Sequence, residues 1–188
     1  MYQANENNSK LSIFLVDIKR FKFVNDTYGL KTGDEILGEI ATRLNESIFK
    51  PLVVGRLSGD SFIFVVEFND EKQIEHAKQH IHEMIERPYL LNDREVLIQC
   101  HLGYSFYPEH ADTAEDLLQC ANLALFQAET DNIASMQFKS QMQVHGRHLL
   151  TRERDIKSAM ANDEFVLYFQ PQLNLLTNRL EGVEALVR

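Results

Sequence analysis

Leu11, Ser12, Ile13, Phe14, Leu15 and Val16 form an almost unbroken apolar run that stops at Asp17. A strand apolar at consecutive positions is buried on both faces and belongs in the middle of a sheet. Leu52-Val53-Val54 and Phe62 to Val66 are two further apolar runs, and the segment between them predicts a β-hairpin with its tip at Ser58-Gly59-Asp60-Ser61. Gly59 gives the backbone freedom to reverse, and the Ser and Asp side chains can bond locally to backbone groups. Before the hairpin, Ile36, Leu37, Ile40, Ala41, Leu44 and Ile48 recur at helical spacing, and Pro51 closes that segment. Asn69, Asp70 and Glu71 start a second helix with a buried stripe of Ile74, Ala77, Ile81, Met84 and Ile85, ended by Pro88. Val96 to Tyr104 is predicted to be a strand paired with Tyr89 to Leu91 across Asn92-Asp93. Thr113 and Asp116 form a capping box for a third helix carrying Leu117, Leu118, Ala121, Leu125 and Ala128. This order predicts an α/β (α+β) fold, a central, mostly antiparallel sheet with helices packed against it.

The polar residues 1–10 show no periodicity and are expected to be disordered, leaving 11–140 as the folded domain. Residues 141–154 are polar and basic, a connecting helix or linker. From 155 a new pattern begins, with Ile156, Ala159 and Met160 on a helix and Phe165 to Phe169 as a strand, in a segment too short for a domain of its own. That strand has no evident partner and is expected to be disordered or paired with a neighbouring chain.

The 188 residues are 44% hydrophobic with a formal charge of -9, which argues against nucleic acid or an anionic membrane as partner. Two cysteines imply no disulfide framework, and no stretch is signal-like or long enough to span a bilayer, so a cytoplasmic location is expected. Asp17 ends the central strand and Asp60 lies in the hairpin turn. If those strands are neighbours, the two carboxylates meet and suit Mg²⁺; otherwise they are a strand-end and a turn residue. His76 and His80, four apart on one helix, have zinc spacing but no evident third ligand, and His82 points elsewhere. A solvated helix face explains that pair as well. His101 is expected to be half-buried and hydrogen-bonded, and Cys100 and Cys120 to be inert packing residues.

Asp17-Ile18-x-x-Phe21-Lys22-x-Val24-Asn25-Asp26 with Gly29 and Gly33-Asp34, then Arg56-Leu-Ser-Gly-Asp-Ser-Phe62, resemble in order the signatures of the GGDEF (diguanylate cyclase) family. Leu102-Gly103, Pro108 and Ala121 to Phe126 resemble later ones, so the resemblance covers Leu11 to Met136. Tyr168-Phe-Gln-Pro171 and Gly182-Val-Glu-Ala-Leu-Val-Arg188 are similar to the opening of an EAL (cyclic-di-GMP phosphodiesterase) domain, over Arg152 to Arg188. The resemblance implies a nucleotidyl-cyclase-like fold in which two GTP molecules on facing protomers are joined. It implies Mg²⁺ or Mn²⁺ at Asp17, the Ile18 carbonyl and Asp60, with Asp60 catalytic. Asn25 and Asp34 would read guanine, and Arg20, Phe21, Lys22 and Gly59 would face phosphate. Gln170, Glu184 and Arg188 match EAL positions that contact ligand or metal. A barrel needs about 250 residues, so no phosphodiesterase activity is expected of this stretch.

Four positions depart from the pattern. Ser58 brings a Cβ where backbone meets phosphate, and Ser61 replaces a Glu beside the metal. Lys19 stands where a second Asp is usual and is expected to put positive charge into the carboxylate cluster. Glu129 replaces a phosphate-binding Lys. Phe49 and Leu52 occupy the charged positions of the inhibitory product-binding motif, and the family's opening motif is missing, as if the chain starts part-way into the domain. The resulting expectation is a degenerate GGDEF domain of a GGDEF-EAL protein, a GTP-binding regulatory module with little or no cyclase activity, with a homodimer and a downstream EAL domain as its expected partners. The alternatives are a slow, active cyclase and a nucleotide-free dimerisation or docking scaffold.

Overall fold

In the computed structural model, residues 10–91, 94–143 and 158–188 are described. They divide into two compact units, 1–143 and 144–188. In the first, the strands β1 (Lys10–Ile18), β2 (Val53–Ser58), β3 (Ser61–Phe68), β6 (Cys100–Tyr107) and β7 (Ser135–Gln137) form one sheet in the order β2-β3-β1-β6-β7. The pair β4 (Tyr89–Leu91) and β5 (Arg94–Val96) forms a separate short hairpin. The helices are α1 (Phe21–Tyr28), α2 (Leu30–Asn45), α3 (Glu71–Glu86) and α4 (Ala114–Thr130). Strand β1 is antiparallel to both neighbours, β3 and β6, and only β6 and β7 run parallel. A central, mostly antiparallel sheet with helices packed against it is therefore the architecture.

Because side chains alternate across a strand, β1 feeds two cores. Phe14, Val16 and Ile18 join Ile36, Ile40, Ile74, Ile81 and Ile85 of α2 and α3 on one face. Leu11, Ile13 and Leu15 join Leu117, Ala121 and Leu125 of α4 on the other. Asp17 is next in this second row, so it ends on the α4 face. Close packing of α4 depends on Gly103, where a Cβ would run into the backbone at Leu125 and Ala121.

Helix starts follow local chemistry. Asp70 caps α3 by accepting from the Gln73 amide at 2.9 Å, while the Gln73 side chain accepts from Asn69 N. Thr113 accepts from the Asp116 amide and its hydroxyl donates to the Asp116 carboxylate, the predicted box.

Several expectations are corrected. Helix α2 ends at Asn45, and Ile48, assigned to its apolar stripe, lies beyond it, 76% exposed. The strand expected from Val96 to Tyr104 is two strands, broken at Leu97 to Gln99, because the chain leaves the short hairpin before entering the main sheet. Arg20 takes the left-handed conformation (φ 55°), and Phe21 and Lys22, expected with it to face phosphate, are the first residues of α1. In the second unit, β8 (Leu167–Leu173) pairs antiparallel with β9 (Leu180–Val187), so the apolar strand there has a partner in its own chain rather than being disordered or paired with another. Residues 1–9 and 144–157, with most of the expected linker helix, lie outside the described residues.

Candidate functional site

The β1-β3 register sets Asp17 opposite Ser61, one residue from Asp60. Ser61 Oγ donates to Asp17 Oδ1 at 3.0 Å. Burial, then the neighbouring Asp60 charge, pushes the half-buried Asp17 carboxyl above its usual value, against the pull of the Ser61 hydrogen bond and of His101. Glu129, at the C-terminal end of α4, is held above its usual value by partial desolvation and then by Asp17 and Asp60. Three carboxylates therefore share one end of the sheet and repel one another. Among the described residues they do not form a set with all ligand atoms within 4.8 Å, so they make an open acidic edge rather than a closed cage.

The hairpin tip is fixed by backbone geometry. Gly59 has φ 51°, and Arg56 Nε donates to its carbonyl at 2.6 Å, drawing the turn tight. Ser58, exposed, pairs with Ser61 across a register shift between Arg56 and Ser58. Arg20 and Lys22 are exposed at the start of α1, where the first helical N–H groups have no intrahelical acceptor and the dipole favours an anion. Phe21, by contrast, is buried, an anchor that fixes the helix against the core. Ile18 is buried too, and only its backbone is available where β1 ends.

Asn25 on α1 lies against Gly33 on α2, where a Cβ would collide with Asn25 Oδ1. Asp34 follows Gly33 on α2 and is exposed, in the helix rather than at its cap. The contact at Gly33 thus brings Asn25 of α1 against the turn of α2 that carries Asp34.

Lys19 Nζ reaches Asn132 Oδ1 at 3.5 Å, in the turn after α4 where the Asn132 amide donates to the Glu129 carbonyl, and the Lys19 charge also acts on His82 and Cys100. The alternation that sends Asp17 toward α4 carries the chain past Ile18, and the left-handed Arg20 turns it toward α1. A cleft of about 350 Å³ opens there between Lys19, Arg20, Phe23, Gln99 and Asn132. His101 is buried, not half-buried, with Nδ1 2.7 Å from the Ile133 carbonyl. His80 packs against the Phe49 ring, 5.4 Å between centroids, so it does not share a solvated face with His76. The sequence reading missed His82 and Cys100, whose Nδ1 and Sγ lie 3.4 Å apart; the i,i+4 pair His82 and Glu86 was the available signal.

The model of the family "Diguanylate cyclase, GGDEF domain" matches residues 1–133. The chain belongs to the GGDEF diguanylate cyclase family. The solved GGDEF domain of TpbB (YfiN) from Pseudomonas aeruginosa superposes with a TM-score of 0.72 at 28% identity, covering 78% of this chain and 87% of that one. The cyclic di-GMP phosphodiesterase NbdA of the same organism is 29% identical over 95% of the chain and 23% of its own length. The bifunctional diguanylate cyclase/cyclic di-GMP phosphodiesterase MucR, also from Pseudomonas aeruginosa, is 28% identical over 99% of the chain and 27% of its own length. The chain thus spans about a quarter of the curated relatives it matches. No described helix is long and apolar enough to cross a membrane.

Proposed function

We propose that this GGDEF domain binds GTP with a divalent cation and serves as a regulatory module in cyclic-di-GMP signalling, with cyclase chemistry strongly reduced. The observation that carries the reading is Glu129 beside Asp17 and Asp60, with a serine at the fourth motif position hydrogen-bonded to Asp17.

The donor set fits Mg²⁺ or Mn²⁺. Asp17 and Asp60 disfavour each other's charge, which a cation between them relieves, and Mg²⁺ asks for one or two carboxylates plus phosphate oxygens rather than a closed protein cage. When bound, the cation neutralises triphosphate charge and acidifies an oxygen it holds. The Ile18 carbonyl is the third group assigned to it. Backbone N–H groups at the start of α1, with Arg20, Lys22 and the Gly59 turn, take the phosphates, and Asn25 and Asp34 take the guanine edge. Ser61 can accept and donate hydrogen bonds but brings no charge to the cation. Glu129 presents negative charge to the triphosphate where transfer of a phosphoryl group calls for positive charge. Ground-state binding survives this better than the transition state does, where charge shifts onto the reacting phosphate and its leaving oxygen, so binding without efficient turnover is the expected balance.

The second unit is assigned to the opening of an EAL domain. The hairpin sets Gln170 directly opposite Glu184, side by side on one face, and joins Val166 to Arg188 by paired backbone hydrogen bonds of 2.9 Å. The NbdA and MucR alignments, over 95% and 99% of the chain, support this assignment. The module's partner is then the EAL domain that continues from this hairpin, with a second GGDEF protomer as a further partner.

Calorimetric titration with GTP, with and without Mg²⁺, tests the binding role, and chromatography of the same mixtures looks for cyclic di-GMP. Cation-dependent binding with no product is expected. Absence of binding at millimolar GTP leaves only a docking scaffold, whereas product that vanishes in Asp60→Ala establishes a working cyclase.

A further inference from the structure

A second constellation lies on the opposite face of the sheet from Asp17. His82 and Glu86 occupy successive turns of α3, and Cys100 opens β6 beneath them. His82 Nδ1 is 3.4 Å from Cys100 Sγ and 3.4 Å from Glu86 Oε1, and all three ligand atoms lie within 4.8 Å of one another.

The hydrogen bonds within this cluster are all long: Glu86 Oε1 accepts from the Cys100 amide at 3.5 Å, and His82 Nδ1 stands 3.4 Å from both Oε1 and Sγ. A neutral Nδ1 carries either one proton, which the carboxylate and the sulfur would have to share, or one lone pair, which only the thiol proton could use. At 3.4 Å the carboxylate contact is long for an N–H···O bond. The other ring nitrogen, Nε2, is buried with no hydrogen-bond partner among the described residues, so none of them orients the ring from its far side.

The same distances suit ligands around one ion. Zinc bonds of about 2.0–2.1 Å to nitrogen or oxygen and about 2.3 Å to sulfur give tetrahedral edges of about 3.3–3.6 Å. We propose that His82, Glu86 and Cys100 form a Zn²⁺ site, three protein ligands with a fourth position open toward solvent beside Glu86. A thiolate, an imidazole and a carboxylate together select zinc over Mg²⁺, which separates this site from the acidic edge by chemistry as well as by sheet face. The ion brings charge +2 to a thiolate and a carboxylate, so the loaded cluster is neutral despite Lys19 and Lys78 nearby. Occupancy ties α3 to the start of β6, next to the Gln99 carbonyl that holds the Lys19 amide at 2.8 Å.

The test uses the full chain, stripped of metal by chelation. Titration with Co²⁺ is expected to produce the thiolate-to-cobalt absorption band at one ion per chain, displaced by Zn²⁺ and not by Mg²⁺. Cys100→Ser is expected to lose the band and His82→Gln to lose stoichiometric binding, while His76→Ala keeps both. Cys100 is buried, so Glu86→Gln, at a half-exposed position, serves as a variant that leaves the core alone and is expected to weaken Zn²⁺ binding at least tenfold. No thiolate band in the parent chain, or binding that survives Cys100→Ser and His82→Gln, overturns the site. Neither outcome depends on GTP, so the nucleotide reading stands or falls separately.

Discussion

Glu129→Lys acts on the nucleotide face without disturbing the core. Glu129 is solvent-exposed at the end of α4, yet near enough to Asp17 and Asp60 for both to raise its pKa. Reversal changes the local charge by two units. A triphosphate with one Mg²⁺ carries about -2, and at about 8 Å through an effective dielectric of about 60 each unit pair contributes about 0.7 kcal/mol. Two charges against two give about 2.8 kcal/mol, which screening over a Debye length of about 8 Å at this exposed position cuts to roughly 1 kcal/mol. The expected effect is about sixfold tighter binding.

Calorimetry with GTP and Mg²⁺ measures this at two ionic strengths. Glu129→Gln should recover about half of the free energy, roughly 2.5-fold, and both gains should shrink as salt is raised. Unchanged or weaker binding in Glu129→Lys, with an unaltered melting temperature, refutes the placement of a repulsive carboxylate against the phosphates. A gain that ignores salt would also refute it, since the argument is Coulombic throughout.

Asp17→Asn separates stability from binding. The folded chain holds the Asp17 proton more tightly than the unfolded chain does, so the associated stability grows as pH falls through the raised value and is missing at neutral pH. The variant is expected to melt above the parent at pH 7, with the gap closing toward pH 4, and to lose cation-dependent GTP binding; a lower melting temperature at pH 7 would contradict the repulsion. Gly33→Ala pushes a methyl into Asn25 Oδ1 and should cost about tenfold in GTP affinity, about 1.4 kcal/mol, with the fold retained. Equal affinity would remove Asn25 from the guanine edge. Arg43 donates to the carbonyls of Met84, Arg87 and Pro88 at 3.0, 2.9 and 3.2 Å, closing the end of α3. Arg43→Ala is expected to lose about 2–4 kcal/mol in denaturant unfolding, with Arg43→Lys recovering only part, and a loss below about 1 kcal/mol would mean that water replaces the guanidinium.

Sequence and structure agree where burial alone decides and part where register decides. The run from Leu11 to Val16 announces a central strand because both faces are covered, and both cores are found there. Asp17 at its end, and Asp60 in the turn of the next hairpin, follow from the same pattern once β1 and β3 are neighbours. Beyond Asp17, β1 stops at Ile18 and the left-handed Arg20 turns the chain into α1, so strand alternation alone does not place Lys19.

The histidines of α3 make the same point from the helix side. His76 and His80 carry the spacing that draws notice, but i,i+4 neighbours can share any face of a helix, and only the face meeting a partner element gains a third ligand. Ile81 and Ile85 point into the core, fully buried, so His82 and Glu86, one position further on, stand at the rim of that buried stripe. There the sheet delivers Cys100, which the register places opposite Ile18 and therefore on the α3 face, while His101 beside it faces α4 with Asp17. One step along β6 thus assigns the thiol and the imidazole to different sites on opposite sides of the sheet, an assignment that strand pairing makes and that residue spacing within α3 or β6 alone does not contain.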